Sequence, residues 1–146
     1  LRALSAEVRH VSAEHFVSGG GLERIYRLQT AGHHLSAPEI GAAAVAGDGP
    51  ERLAGTTMLG ILGTVIADAT LTMGCWRGVV IAGGVVAHLR ELVPDSPFAA
   101  RFRHDGMMGR LLAEVPVYLS LDPHAGLRGA AEAMRTPALR HMVITA

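Results

Sequence analysis

Arg77-Gly78-Val79-Val80-Ile81-Ala82-Gly83-Gly84-Val85-Val86-Ala87-His88-Leu89 reads as a strand, a tight turn and the start of a helix. A run of β-branched residues bounded by glycines predicts a fully buried strand, and paired glycines before a second apolar stretch predict a corner leading into a helix. In open α/β sheets, ligands collect beyond the carboxyl ends of the strands. Glycine at that place removes the Cβ that would hold a ligand away from the backbone. Gly83 and Gly84 are therefore a candidate binding site, although a tight corner alone also calls for glycine.

Upstream of the strand, Thr56 to Gly74 is apolar enough to be mistaken for a membrane span. Asp68 interrupts it, and Glu51, Arg52 and Arg77 flank it, whereas a span wants about 20 mostly apolar residues. It reads as a buried helix beginning near Glu51. Thr56, Gly60, Gly63 and Ala67 form a strip of small side chains along it, open to a closely packed neighbour. Met58, Ile61, Leu62 and Val65 form a bulkier strip that fills core, and Asp68 is expected to be a buried polar group.

Earlier, Ser36-Ala37-Pro38-Glu39 is a helix start with a capping serine and a proline in the first turn, running to about Ala46. Leu22, Ile25, Tyr26 and Leu28 mark another helix with Glu23, Arg24 and Arg27 on its polar face. Leu1, Leu4 and Val8 share one helical face, and Ser12 caps a short turn carrying Glu14 and His15. Downstream, Ser96-Pro97 opens a helix on which Phe98 and Phe102 share a face, and Met108, Leu111 and Leu112 suggest a short helix. Val115 to Leu121 reads as a second strand, with Pro116 tolerated near its start. Asp122-Pro123-His124 forms a loop before a helix from Ala125 to Met134. Strands separated by helices imply parallel pairing and an α/β class. Two strands are few for a sheet, so further strands are expected from the Val11 region, the tail after Thr136, or chain outside these residues.

The chain has 146 residues, 49% hydrophobic and 18% charged, with formal net charge zero. That length suits one domain. The composition excludes a disordered chain, and the neutral balance gives no electrostatic footprint for nucleic acid or an acidic membrane. With 4% aromatic residues, aliphatic side chains, alanine and glycine must fill the interior. The single Cys75 cannot close an intrachain disulfide, which suits a reducing cytosol. An opening Leu1-Arg2-Ala3 without an initiator methionine reads as a piece of a longer chain.

Glu14 precedes a glycine-rich stretch and could accept two hydrogen bonds from sugar hydroxyls. From spacing alone, a solvated acid in the first turn of a helix, stabilised by the dipole, is the more sufficient explanation. Ser18-Gly19-Gly20-Gly21 could form a loop that presents backbone N–H groups to an anion at a helix N-terminus. It is neither a P-loop nor a dinucleotide fingerprint. Eight histidines fall in no metal-ligand spacing, so no metal site is expected. Cys75, among apolar neighbours, is not a candidate nucleophile.

Taken in order, four segments resemble the bacterial glucokinase family of the hexokinase and actin-like ATPase superfamily. They are Val11 to Leu22 with Ile25-Tyr26-Arg27; Gly78 to Val86; Ser96 to Phe102; and Val115 to Leu119 followed by Gly126 to Ala131. The resemblance covers nearly the whole chain but only the C-terminal part of the family's sequence. It implies residues 1–146 as one partial domain of an actin-like ATPase (ribonuclease H-like) fold, helix-rich with a small, mainly parallel sheet. It also implies a cytoplasmic, homodimeric enzyme that moves the γ-phosphate of ATP, with Mg²⁺, onto the 6-hydroxyl of glucose.

On this resemblance Glu14 matches the glutamate that hydrogen-bonds glucose, and Ser18, Gly19, Gly20 and Gly21 match a Ser-Gly-Pro-Gly loop. Gly83 and Gly84 match the turn beside the adenosine pocket. The family's catalytic aspartate and its phosphate loops have no match here, so the chain alone is expected to be inactive. Two departures stand out. Gly20 replaces the loop proline, which loosens the backbone, and Asp105-Gly106-Met107 stands where the family shows Lys-Gly-Arg. The latter keeps open a non-catalytic sugar- or nucleotide-binding or oligomerising module.

Overall fold

The computed structural model describes residues 10–138. After a short 3₁₀ turn at Ala13–His15 come α1 (Gly19–Gln29), α2 (Ala37–Ala46) and the long α3 (Pro50–Met73). Strand β1 (Val79–Ile81) follows, then α4 (Gly84–His88), a 3₁₀ turn at Arg90–Leu92, α5 (Phe98–Arg103), α6 (Gly109–Ala113), β2 (Val117–Leu119) and α7 (Ala125–Arg135). β1 and β2 pair in parallel, with Val79 opposite Val117, Val80 opposite Tyr118 and Ile81 opposite Leu119. The expected parallel geometry is thus present in the smallest form a sheet can take.

α3 is the axis of the molecule, with α1, α2 and α5 packed around it. Its length and hydropathy would suffice for a bilayer span, but Ala54, Met58, Leu59 and Leu62 are instead covered by side chains such as Leu22, Ile40, Leu89 and Leu92. The strip of small residues works as expected. A Cβ at Gly63 would lie 2.5 Å from the Phe98 carbonyl oxygen, and one at Gly60 would lie 3.3 Å from Pro97 and Arg101. The backbone of α5 therefore approaches where no side chain stands between, and Phe98 stacks on Phe102 with ring centroids 6.4 Å apart. α3 ends at Gly74, whose left-handed backbone (φ 66°) turns the chain so that the Cys75 N–H also reaches the Thr70 carbonyl, at 3.1 Å, the usual glycine solution to a helix C-terminus.

The helix starts are equally local. Ser36 and Glu39 form a capping box on α2: the Ser36 hydroxyl and N–H donate to Glu39 Oε2 at 2.6 and 2.8 Å, two contacts that favour the charged carboxylate. They hold the Glu39 pKa below the ordinary glutamate value. Between helices, the buried Tyr26 of α1 donates its hydroxyl proton to Glu51 on α3 at 3.0 Å. Burial first, and then this carboxylate, push the Tyr26 hydroxyl pKa up.

Several expectations are corrected. β1 is not fully buried: Val80 is 67% exposed, as is its neighbour Tyr118 at 59%, because helices cover only one face of the pair. Val115 to Leu121 shrinks to three strand residues, and the Val11 region forms a 3₁₀ turn rather than a strand. Asp68 is exposed, not buried; with Thr64 and Thr72 it lies on a stripe turned to solvent, as i, i+4 spacing on one helix requires. Leu28 is 46% exposed at the end of α1. The Leu1, Leu4 and Val8 helix and the end of the tail lie outside the described residues.

Candidate functional site

Gly83 leaves β1 with φ 133° and ψ 152° and stands at the N-cap of α4, a backbone conformation that side-chain-bearing residues rarely adopt. A Cβ built on Gly83 or on Gly84 would meet nothing within 4 Å. The paired glycines thus leave open space beside the backbone, as well as turning the chain. Gly84 also lines a cavity of ≈ 260 Å³ between α1, α2 and α4, together with Leu22, Ala37, Pro38, Gly41, Val85, His88 and Leu89. Its wall is aliphatic apart from His88, whose Nδ1 lies 2.6 Å from the Gly84 carbonyl oxygen.

The glycine-rich segment is not the loop that the sequence suggested. Ser18 is an N-cap whose side chain accepts the Gly21 N–H at 3.0 Å, and Gly19, Gly20 and Gly21 are the first turn of α1. Helix propensity argues against three glycines there, but packing demands glycine only at Gly21. A Cβ on Gly21 would come 2.5 Å from the Phe16 carbonyl group, and one on Gly19 would sit 3.6 Å from Ala37 and 3.9 Å from Val85. Because Ala37 and Val85 line the cavity, the N-terminus of α1 adjoins it. Gly20 is exposed with open space around it.

Glu14 lies in the 3₁₀ turn and is exposed. The turn is held at both ends. The Ser12 N–H donates to His15 Nδ1 at 3.1 Å, and Arg24 Nη1 donates to the His15 carbonyl at 2.8 Å. The first contact requires an unprotonated Nδ1, so in the neutral ring the proton sits on Nε2. Arg24 thereby ties the segment carrying Glu14 to α1. It also borders a polar cleft of ≈ 210 Å³ with Gly20, Glu23, Arg27 and His34. Glu23 accepts the Ala37 N–H at 2.8 Å, fixing the start of α2 beside α1.

The sequence-based candidates are therefore partly gathered: Gly84 and the first turn of α1 share one neighbourhood, and Glu14 stands on a turn anchored to the same helix. The tether through Arg24 and the cavity wall of Ala37, Pro38, Gly41 and His88 were not foreseen. Only the i, i+4 spacing of Gly84 and His88 hinted at the last. Asp122 is accounted for structurally, accepting the His124 N–H at 2.9 Å and pairing with Arg128 at 3.3 Å. Asp105-Gly106-Met107 lies on the turn between α5 and α6, with Met107 94% exposed, outside the lining of the cavity. Among the described residues no three His, Cys, Asp or Glu side chains are grouped to hold a metal ion.

Comparison with known proteins gives a consistent result. The Glucokinase family model matches residues 1–137. A glucokinase of Helicobacter pylori is 37% identical over 143 residues, covering 88% of this chain and 42% of that protein. A glucokinase of Neisseria meningitidis serogroup C is 37% identical over 131 residues, covering 86% of this chain and 40% of its own length. The crystal structure of a glucokinase from an Antarctic psychrotroph superposes with a TM-score of 0.80 at 29% identity, over 90% of this chain and 43% of that one. The chain thus spans less than half the length of the relatives it matches. With its fold and its sequence in agreement over nearly all its residues, the chain belongs to the glucokinase family.

Proposed function

We propose that this chain supplies one side of the active cleft of a glucokinase-type sugar kinase, which transfers the γ-phosphate of ATP to the 6-hydroxyl of glucose. The observation that carries this is the aliphatic cavity opening at Gly84, next to the first turn of α1. Flat apolar walls suit a nucleotide base, and a helix N-terminus suits phosphate oxygens. In this reading Gly83 and Gly84 let the nucleotide approach the backbone. Ser18, Gly19, Gly20 and Gly21 face its phosphates, with the N–H of Gly21 already engaged by Ser18. Glu14 accepts hydrogen bonds from glucose hydroxyls and so orients the sugar.

Phosphoryl transfer depends mainly on positioning and on charge stabilisation around the phosphates. Within the described residues no carboxylate cluster is available to Mg²⁺, so the ion would reach this segment only on the phosphates it accompanies. Neither does the sequence offer a match for the aspartate that would take the hydroxyl proton. The isolated chain is therefore a binding half: it should hold nucleotide weakly and turn over nothing. The actin-like ATPase fold, cytoplasmic location and homodimeric assembly belong to the same proposal, on the strength of family membership.

A coupled assay for glucose 6-phosphate on the purified 146-residue chain, freed of host enzyme, tests this together with calorimetric titration of ATP. No turnover with measurable ATP binding is expected. Robust turnover would show that the chemistry needs nothing outside this chain, and absence of ATP binding would remove the nucleotide-site assignment.

A further inference from the structure

We infer that His88 is the residue that selects an adenine base over a guanine base in the cavity beside Gly84. This rests on the nucleotide site proposed above and assigns within it the group that reads the base. Of the eight residues bounding the cavity, His88 alone has a polar side chain. Leu22, Ala37, Pro38, Val85 and Leu89 can clasp the faces of a base but cannot distinguish one purine from another, since their contacts carry no direction.

The tautomer of the neutral His88 ring is fixed by its neighbour. Nδ1 lies 2.6 Å from the Gly84 carbonyl oxygen, and a carbonyl can only accept, so Nδ1 carries the proton. In the neutral imidazole, Nε2 is then an acceptor. No described hydrogen bond engages it. The bond to Gly84 does two things at once: it sets the tautomer, and it anchors the ring to the first residue of α4 beside the open space left by the glycines. An acceptor at the edge of a purine pocket matches the exocyclic amine of adenine, which donates. It opposes the O6 of guanine or hypoxanthine, which accepts. Discrimination follows because Nε2 gains a hydrogen bond from the amine of adenine and none from O6 at the same ring position.

The test is a ligand series on the whole 146-residue chain, by titration calorimetry at millimolar nucleotide near neutral pH, using ATP, GTP and the triphosphate of purine riboside, which lacks the exocyclic amine. The wild-type chain should bind ATP about five- to tenfold more tightly than either of the others, the worth of one hydrogen bond. His88→Phe, which keeps an aromatic wall without an acceptor, should bind all three within about twofold. His88→Gln, which retains an acceptor, should recover part of the preference. Equal wild-type affinity for ATP and purine riboside triphosphate would overturn the assignment, whatever the variants do, and so would a preference undiminished in His88→Phe. Both results would leave the nucleotide site standing. Failure of the wild-type chain to bind any of the three would overturn the site and the role of His88 together.

Discussion

A methyl group added at Gly21 and one added a residue earlier meet opposite surroundings. At Gly21 it would press on the Phe16 carbonyl group at 2.5 Å; at Gly20 it would meet nothing within 4 Å. Gly21→Ala should therefore destabilise the fold by about 1–3 kcal/mol through overpacking against backbone. Gly20→Ala should be neutral or stabilising by up to about 1 kcal/mol, since it removes glycine's entropic cost in a helix. Urea denaturation of both variants checks the pair, and equal effects would contradict the packing at Phe16. Glu39 makes a prediction in pH. Hydrogen bonds from the Ser36 hydroxyl and then its N–H lower its folded pKa, with the charge of His34 adding and burial opposing. A depressed carboxyl pKa contributes stability that is present above the unfolded value of about 4.3. That stability is lost as pH falls through the folded value. Glu39→Gln should flatten the acid limb of a stability–pH curve, and carbon NMR of the Glu39 carboxylate should show a midpoint below that of a free glutamate.

Among the elements, α3 shows how much can be read from small residues. Gly60, Gly63 and Ala67 announced a closely packed neighbour, and α5 occupies that place. Gly63→Ala should cost about 1–3 kcal/mol, whereas Thr64→Ala, on the exposed side of the same turn, should change the midpoint of thermal unfolding little; circular dichroism melts of the two decide. α2 was legible to the residue because Ser36, Pro38 and Glu39 act within one turn. The start of α1 was not, since three glycines carry the local signature of a loop, and the reason for Gly21, close approach to the Phe16 backbone, is a contact made only on folding. β1 was misread for a related cause: three β-branched residues give the same pattern whether one face or both are covered.

Over the whole molecule, large apolar side chains remain uncovered. Val80 and Tyr118 stand out from the outer face of the sheet, and Leu121, Leu127 and Met134 are 62–73% exposed along the last segment, where α7 buries no residue. Exposed apolar areas of this kind are uncommon on monomeric proteins. Val80→Thr with Tyr118→Thr should lower the fluorescence of a hydrophobic dye bound to the chain while leaving the far-ultraviolet spectrum intact; undiminished dye binding would locate the accessible apolar surface elsewhere. Family membership was legible from ordered motifs. The cavity was not, because its wall combines residues of three helices that no short pattern connects. The register of the sheet also bears on the route by which the chain folds. Val79 finds Val117 only after α4, α5 and α6 have been threaded between them, and closing so long a loop is entropically slow. The contacts of α1 and α2 with α3, such as Tyr26 with Glu51 and Ala44 with Gly55, are nearer in sequence and should form before the strands pair. Trp76, the only tryptophan, precedes β1 and is 45% exposed. Its fluorescence in stopped-flow refolding should therefore lag behind the first gain of helical ellipticity, making the corner where the two strands meet a late part of the chain to become native.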